Sequence, residues 1–130
     1  GSVRLMPIAH FSVVALDCPD PMALAEFYQR IIGGEIPAAD SDDWVELRFA
    51  GSTTLAFQRV AEYMAPDWPD GSPQQAHLDF DVPDLDAGEA AILALGARKA
   101  EFQPHPDSWR VYLDPVGHPF CLVKASSSAT

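Results

Sequence analysis

One short pattern occurs twice in this chain, and the repeat limits what the chain can fold into more than any other feature. The first copy begins at His10 as a strand-like run and reaches Asp17 before a helix-like segment, and the second begins 67 positions later at His77 and reaches Asp84. In both copies the aspartate follows the histidine by seven residues. A repeat of about half the chain predicts two copies of one β-α-β-β-β unit. If the two copies face each other, His10 and His77 converge on one site.

The first copy has clear element boundaries. The valine-rich run 10–16 predicts a strand, and Asp20 followed by Pro21 predicts a capped helix start. The glycines at 33–34 predict the end of that helix. Two further strand-like runs flank the small residues 50–52, which predict a hairpin turn.

The second copy repeats this order. The run 77–82 alternates polar and apolar residues as a strand does, and the short helix-like segment after it ends at Gly96. The runs 109–113 and 120–124 predict strands that are joined by a type I turn at 114–117. We therefore predict an α+β fold of paired βαβββ modules, which form a curved mixed sheet with the helices on its outer face.

The length of 130 residues is sufficient for one domain with a buried core and too short for two independent domains. A proline-rich segment, 66–73, predicts a linker between the two copies. The predicted domain covers 1–130, with module one at about 8–65, module two at about 75–124, a tag remnant at 1–2 and a tail at 125–130.

Charge and cysteine content predict the kinds of partner. The chain has a formal net charge of −11 and only eight scattered Lys and Arg residues. These features argue against nucleic acid and against a membrane surface as partners. No run approaches the roughly 20 apolar residues of a membrane span. Two cysteines are too few for a disulfide framework, so we expect free thiols and a cytoplasmic protein.

Alternation within the predicted strands indicates a polar, ligand-binding face. In the strand 77–82, for example, Asp79 and Asp81 point away from Leu78 and Phe80. A polar face opposite a helix-covered face predicts a cleft for a small molecule. The predicted ligand-binding residues are Trp44, Gln58, Trp68, Asp79, Arg110, Tyr112 and Cys121.

Several short motifs together resemble one known family over nearly the whole chain. They are Phe27-Tyr28 ahead of Gly33-Gly34, the run 75–79 with its His77, the segment Leu95-Gly-Ala97, and the turn at 114–117 followed by Phe120-Cys-Leu122. With these motifs the chain resembles the vicinal oxygen chelate superfamily, and within it the glyoxalase-like and bleomycin-resistance-like small proteins. The resemblance implies paired modules, a homodimer and, in enzymatic members, a divalent metal on the inner sheet face.

The same resemblance implies where metal ligands would lie. First-strand positions of the two modules match His10 and His77, and last-strand positions match Gln58 and Cys121. In the family a glutamate is expected where this chain has Cys121. Without that carboxylate we expect no cofactor; if zinc or nickel is bound, these four residues are its ligands.

The individual roles of these residues remain open from sequence alone. The two histidines are either catalytic acid–base groups or structural residues. Cys121 is either a nucleophile activated by a nearby imidazole or an inert core thiol. Asp79 forms either a catalytic pair with His77 or an ion pair with Arg48 or Arg110.

Two classes of function follow. One is an enzyme of the lyase or isomerase kind, in which His10 and His77 act on a substrate bound in the cleft between the modules. The other is a protein that sequesters a small molecule without chemistry, as antibiotic-resistance members of the family do. Trp68 in the linker is expected to cover the cleft or to contact a second subunit.

Overall fold

The computed structural model describes residues 13–39, 41–51, 53–67, 71 and 77–125. The chain separates into two compact units, here called module one, which ends at Ala61, and module two, which begins at Glu62. In the described ranges, no helix is long and apolar enough to cross a membrane.

In its described residues, module one contains one helix and a three-stranded mixed sheet. The strand order is β1-β3-β2, with β1 parallel and β2 antiparallel to β3. An isolated antiparallel bridge between Glu35 and Arg48 extends this sheet beyond β2. The elements are β1 (Val13–Cys18), α1 (Pro21–Ile32), β2 (Trp44–Leu47) and β3 (Thr54–Arg59).

Both ends of α1 follow the predicted signals. The Asp20 side chain accepts a hydrogen bond from the Ala23 N–H at 3.3 Å, and Pro21 occupies the first turn. Gly33 ends the helix with a φ of 75°, and its N–H donates to the Gln29 carbonyl at 2.8 Å. Only glycine adopts such a positive φ without strain, so the predicted helix boundaries are confirmed.

The core of module one lies between α1 and one face of the sheet. Tyr28 of α1 is fully buried and stacks on Phe57 of β3, with ring centroids 5.7 Å apart. Leu16, Val45 and Leu55 lie on the same sheet face and are also buried. We call the opposite face of each sheet, directed away from its helix, the helix-distal face.

Module two repeats this arrangement with a four-stranded mixed sheet. Its strand order is β4-β7-β6-β5, with β4 parallel to β7 and antiparallel pairs between the others. In both modules, therefore, the first strand lies parallel beside the last, and the predicted α+β fold is confirmed. The elements are β4 (Leu78–Val82), α2 (Leu85–Ala94), β5 (Arg98–Lys99), β6 (Trp109–Leu113) and β7 (Pro119–Lys124).

The structural repeat differs from the predicted one by three residues. β1 ends at Cys18 and α1 begins at Pro21, whereas β4 ends at Val82 and α2 begins at Leu85. Both junctions therefore match at an offset of 64, so the predicted offset of 67 is wrong. The partner of Asp84 in the repeat is Asp20, because each of these aspartates caps its helix.

The segment after the module boundary packs on module two. The Tyr63 hydroxyl donates to the Val116 carbonyl at 2.8 Å. A Cβ on Gly117, whose φ is 98°, would lie 2.7 Å from the Ala65 Cβ, so only glycine fits there. Buried Asp114 holds this turn by accepting a hydrogen bond from the Val116 N–H at 3.0 Å. Residues 62–67 therefore belong to module two, although the sequence predicted module one to extend to about 65.

Candidate functional site

The helix-distal face of module one brings together two predicted ligand-binding residues. Trp44 lies directly opposite Gln58 in the antiparallel pairing of β2 with β3. Opposed residues of a ladder share one sheet face, so these two side chains are neighbours. Trp44 is partly buried and Gln58 is exposed.

Glu46 fixes the position of Trp44 on this face. The Trp44 Nε1–H donates to Glu46 Oε2 at 3.0 Å, and Arg48 donates through its Nε to Glu46 Oε1 at 2.8 Å. These two hydrogen bonds lower the pKa of the Glu46 carboxyl, so it is ionised at neutral pH. Glu46 was not predicted as a site residue, although its spacing of two from both Trp44 and Arg48 indicates that the three share one strand face.

A cleft adjoins these three side chains. Its volume is about 320 Å³, and it offers an indole ring, a carboxylate and the guanidinium group of Arg48, whose side chain is 60% exposed. These groups suit a small molecule that has an apolar body and a charged substituent. The lining residues are Pro37, Ala38, Ala39, Ser41, Trp44, Glu46 and Arg48.

In module two the structure brings together His77, Asp79 and Cys121. Asp79 lies opposite Cys121 in the pairing of β4 with β7, and its Oδ1 is 3.5 Å from the His77 Nε2. The His77 and Asp79 side chains are about half exposed, at 46% and 57%. Of the partners considered for Asp79, the structure therefore supports His77, whereas Arg48 and Arg110 pair with other carboxylates.

The environment of Cys121 favours an inert thiol. Burial raises the pKa of Cys121 to about 11, and the charge and hydrogen bonding of Asp79 act in the same direction. The thiol is therefore protonated at neutral pH, where a nucleophile would have to be a thiolate. Cys121 also packs with Ala100 and Val111 in a small apolar cluster, which extends to Trp109.

Arg110 and Tyr112 lie on the other face of the sheet. Val111 lies opposite Cys121 and shares its sheet face. Its chain neighbours Arg110 and Tyr112 therefore lie on the other face, toward α2. There the Tyr112 hydroxyl donates to Glu89 Oε1 at 2.8 Å, and an Arg110 nitrogen lies 2.9 Å from an Asp86 carboxylate oxygen. The predicted position of Arg110 and Tyr112 on the wall of the inner face is therefore wrong.

The corrected repeat also changes which module-one residues correspond to His77 and Cys121. At the offset of 64, the counterpart of His77 is Val13 and that of Asp79 is Ala15. The ladder partner of Ala15 is Ala56, so Ala56 is the counterpart of Cys121. The predicted matches of His10 with His77 and of Gln58 with Cys121 are therefore wrong.

These counterparts do not fit a divalent metal. Val13 and Ala56 carry no side-chain donor atom, so these four positions offer only His77 and Cys121, fewer ligands than a protein zinc site supplies. In the part of the chain that the structure describes, no group of three or more His, Cys, Asp or Glu residues could hold a metal ion. Two predicted site residues, His10 and Trp68, lie outside the described residues.

Comparisons with known proteins agree with this fold. The model of the family described as a glyoxalase-like domain matches residues 13–123. No match was found among curated proteins.

Solved structures with the same fold include three bacterial proteins. A glyoxalase/bleomycin resistance protein/dioxygenase family enzyme from Burkholderia phytofirmans is 22% identical, with a TM-score of 0.65 and coverage of 91% of this chain and 100% of that chain. The fosfomycin resistance protein FosX from Listeria monocytogenes is 17% identical, with a TM-score of 0.64 and coverage of 96% and 98%. A possible glyoxalase from Bacillus cereus is 14% identical, with a TM-score of 0.64 and coverage of 88% and 97%. At these identities the three structures show the shared fold alone.

Proposed function

Since this chain belongs to the glyoxalase-like domain family, we propose that it binds a small organic molecule on the helix-distal faces of its sheets. The cleft beside Trp44, Glu46 and Arg48 is the observation that carries this proposal. Its volume of about 320 Å³ suits a small ligand.

The contacts of Trp44 support binding because they hold its ring in place before a ligand arrives. Glu46 accepts a hydrogen bond from the indole N–H, and an Arg48 guanidinium nitrogen lies 2.7 Å from the other Glu46 carboxylate oxygen. A side chain that is already ordered loses less conformational entropy on binding, which increases affinity. The ring thus supplies an apolar surface. The remaining guanidinium donors and carboxylate acceptors orient polar groups of the ligand.

A fragment screen by protein NMR tests this proposal. We expect bound fragments to shift resonances of β2 and β3. We expect Trp44→Leu to lower the affinity for these fragments by about tenfold or more. Phe102→Leu is the matched control, because Phe102 is an aromatic residue of module two that is 52% exposed. Fragments that bind only against α1 or α2, or that bind Trp44→Leu with unchanged affinity, would refute the site.

A second candidate function is catalysis of the lyase or isomerase kind. The half-exposed His77, 3.5 Å from Asp79, favours it because a carboxylate orients an imidazole for proton transfer. His10 remains a predicted second catalytic residue. Because the described residues do not fit a divalent metal, no metal-stabilised step is part of this proposal.

Product analysis separates catalysis from sequestration. Sequestration returns the ligand chemically unchanged after binding, and we favour it. Catalysis would yield a product, and His77→Gln would then lower kcat by roughly 10²-fold or more with little change in ligand affinity. Activity that survives in His77→Gln would exclude His77 as the acid–base group.

We also propose a cytoplasmic homodimer. Two buried, free cysteines fit a reducing compartment, and the family resemblance fits dimerisation. Sedimentation analysis of the full chain tests the oligomeric state, and a monomer at micromolar concentration would contradict the dimer.

A further inference from the structure

We propose that the ligand is an organic cation with a flat apolar body, an inference that rests on the proposed function. It arises from three residues in a row across the helix-distal face of module one. Asp17 on β1 pairs with Gln58 on β3, which pairs in turn with Trp44 on β2. Adjacent strands are about 4.8 Å apart, so the backbones of the carboxylate and the indole are separated by about 10 Å.

The same row occurs in module two. Asp81 on β4 pairs with Val123 on β7, which pairs with Trp109 on β6. These positions are repeat counterparts of Asp17, Gln58 and Trp44, as the matching ladders establish. The aspartate and the tryptophan at the two ends are the same in both modules, and only the middle residue differs.

The side chains at the ends of the rows are accessible. Asp17 and Asp81 are exposed, and Trp44 and Trp109 are partly buried on faces that are directed away from the helices. An indole that is fixed on a sheet surface offers a π-face to a flat molecule or to a cation. A carboxylate about two strands away completes the recognition of a positive charge carried on an apolar body.

The charge of the surroundings also favours a cation. Among the described residues, the helix-distal faces carry five carboxylates and two arginines, and the whole chain has a formal net charge of −11. Such a field attracts small cations and repels anions. The seven charged residues are Asp17, Glu35, Glu46, Asp79, Asp81, Arg48 and Arg98.

Three quinolines of similar shape and different charge test the inference on the full chain. They are 1-methylquinolinium, neutral 2-methylquinoline at pH 8, and quinoline-2-carboxylate, titrated by calorimetry with NMR mapping. We expect the cation to bind about tenfold more tightly than the neutral compound, and the anion to bind most weakly. Equal or tighter binding of the neutral or anionic compound at these faces overturns the inference and leaves the proposed function standing.

Single-charge variants assign the effect to the row. Asp17→Asn and Asp81→Asn should each lower the affinity for 1-methylquinolinium by about fivefold and leave the affinity for 2-methylquinoline unchanged. Glu26→Gln removes one charge from the exposed surface of α1 and is the matched control, with a change below about twofold expected. An equal loss in the control overturns the row as the site. If no compound of any charge binds the helix-distal faces, the proposed function fails together with the inference.

Discussion

The two modules share one topology but differ in the contacts between helix and sheet. In module one the interface between α1 and the sheet is built from rings such as Tyr28 and Phe57, and the Glu46 hydrogen bonds lie on the helix-distal face. In module two the hydrogen-bonded network of Glu89 lies on the face toward α2, and the helix-distal face contains the apolar cluster around Val111. The fold therefore determines where strands lie but not whether the interface between helix and sheet is polar.

The Glu89 network shows why a carboxylate is tolerated beneath α2. Burial raises the pKa of Glu89, but hydrogen bonds from Lys99 and Tyr112 and the charge of Arg110 outweigh burial and lower it. Burial and the same bond to Glu89 raise the pKa of Tyr112, which keeps its hydroxyl protonated as a donor. The network satisfies groups that would otherwise be costly to bury.

The largest expected effect tests the apolar interface of module one. Tyr28→Ala should lower the free energy of unfolding by about 4 kcal/mol, because it leaves a cavity beside Phe57. Urea denaturation measures this loss. Phe102→Ala, at a half-exposed ring, should cost less than about 1 kcal/mol, and similar losses in the two variants would contradict the assigned core.

The next effect tests the polar interface of module two. Tyr112→Phe should lower the free energy of unfolding by about 2 kcal/mol, because it removes a hydrogen bond to an ionised carboxylate. A double-mutant cycle with Glu89→Gln should show coupling of about 1 kcal/mol in urea denaturation. Additive losses would mean that the two groups do not act together.

The thiol on the helix-distal face of module two gives a pH-dependent prediction. The pKa of Cys121 is raised to about 11 in the folded protein, so folding favours the protonated thiol. This contribution is complete below the ordinary thiol pKa and is lost as the pH rises toward 11. Between pH 8 and 11, wild type should lose stability faster than Cys121→Ala in urea titrations, and parallel curves would exclude a buried, protonated thiol.

The smallest expected effect concerns Glu46. Glu46→Gln should change the free energy of unfolding by about 0.5 kcal/mol or less, because the ion pair with Arg48 is largely at the surface. It should still shift the fluorescence of Trp44 by weakening the bond to its indole N–H. In wild type the same shift should appear as the pH falls through the lowered pKa of Glu46 and should be absent from the variant.

Local signals in the sequence predicted the elements of both modules well. Asp20 with Pro21 and the glycine at 33 act within one or two turns, so their effect on helix ends can be read without tertiary structure. β5 was not predicted, because its two residues are too few for a periodic pattern. The bridge of Glu35 with Arg48 was not predicted for the same reason, because it is a single residue pair.

The site was harder to predict, because it depends on strand pairing. The spacing of seven between His10 and Asp17 matches that between His77 and Asp84, but Asp20 is the aspartate that caps α1. Similarly, alternation correctly separated Arg110 from Val111, but only pairing of Val111 with Cys121 shows which of them faces α2.

The contacts of residues 62–67 have a consequence for engineering the chain. The Tyr63 hydroxyl donates a hydrogen bond to the Val116 carbonyl, and Ala65 lies directly beside Gly117. Lengthening this segment would therefore disturb the turn that it covers. Extra residues would be tolerated better between Val60 and Glu62, at the junction of the two units. A flexible insertion there is the natural place for a reporter or a cleavage sequence, since it leaves the interior contacts of each half untouched.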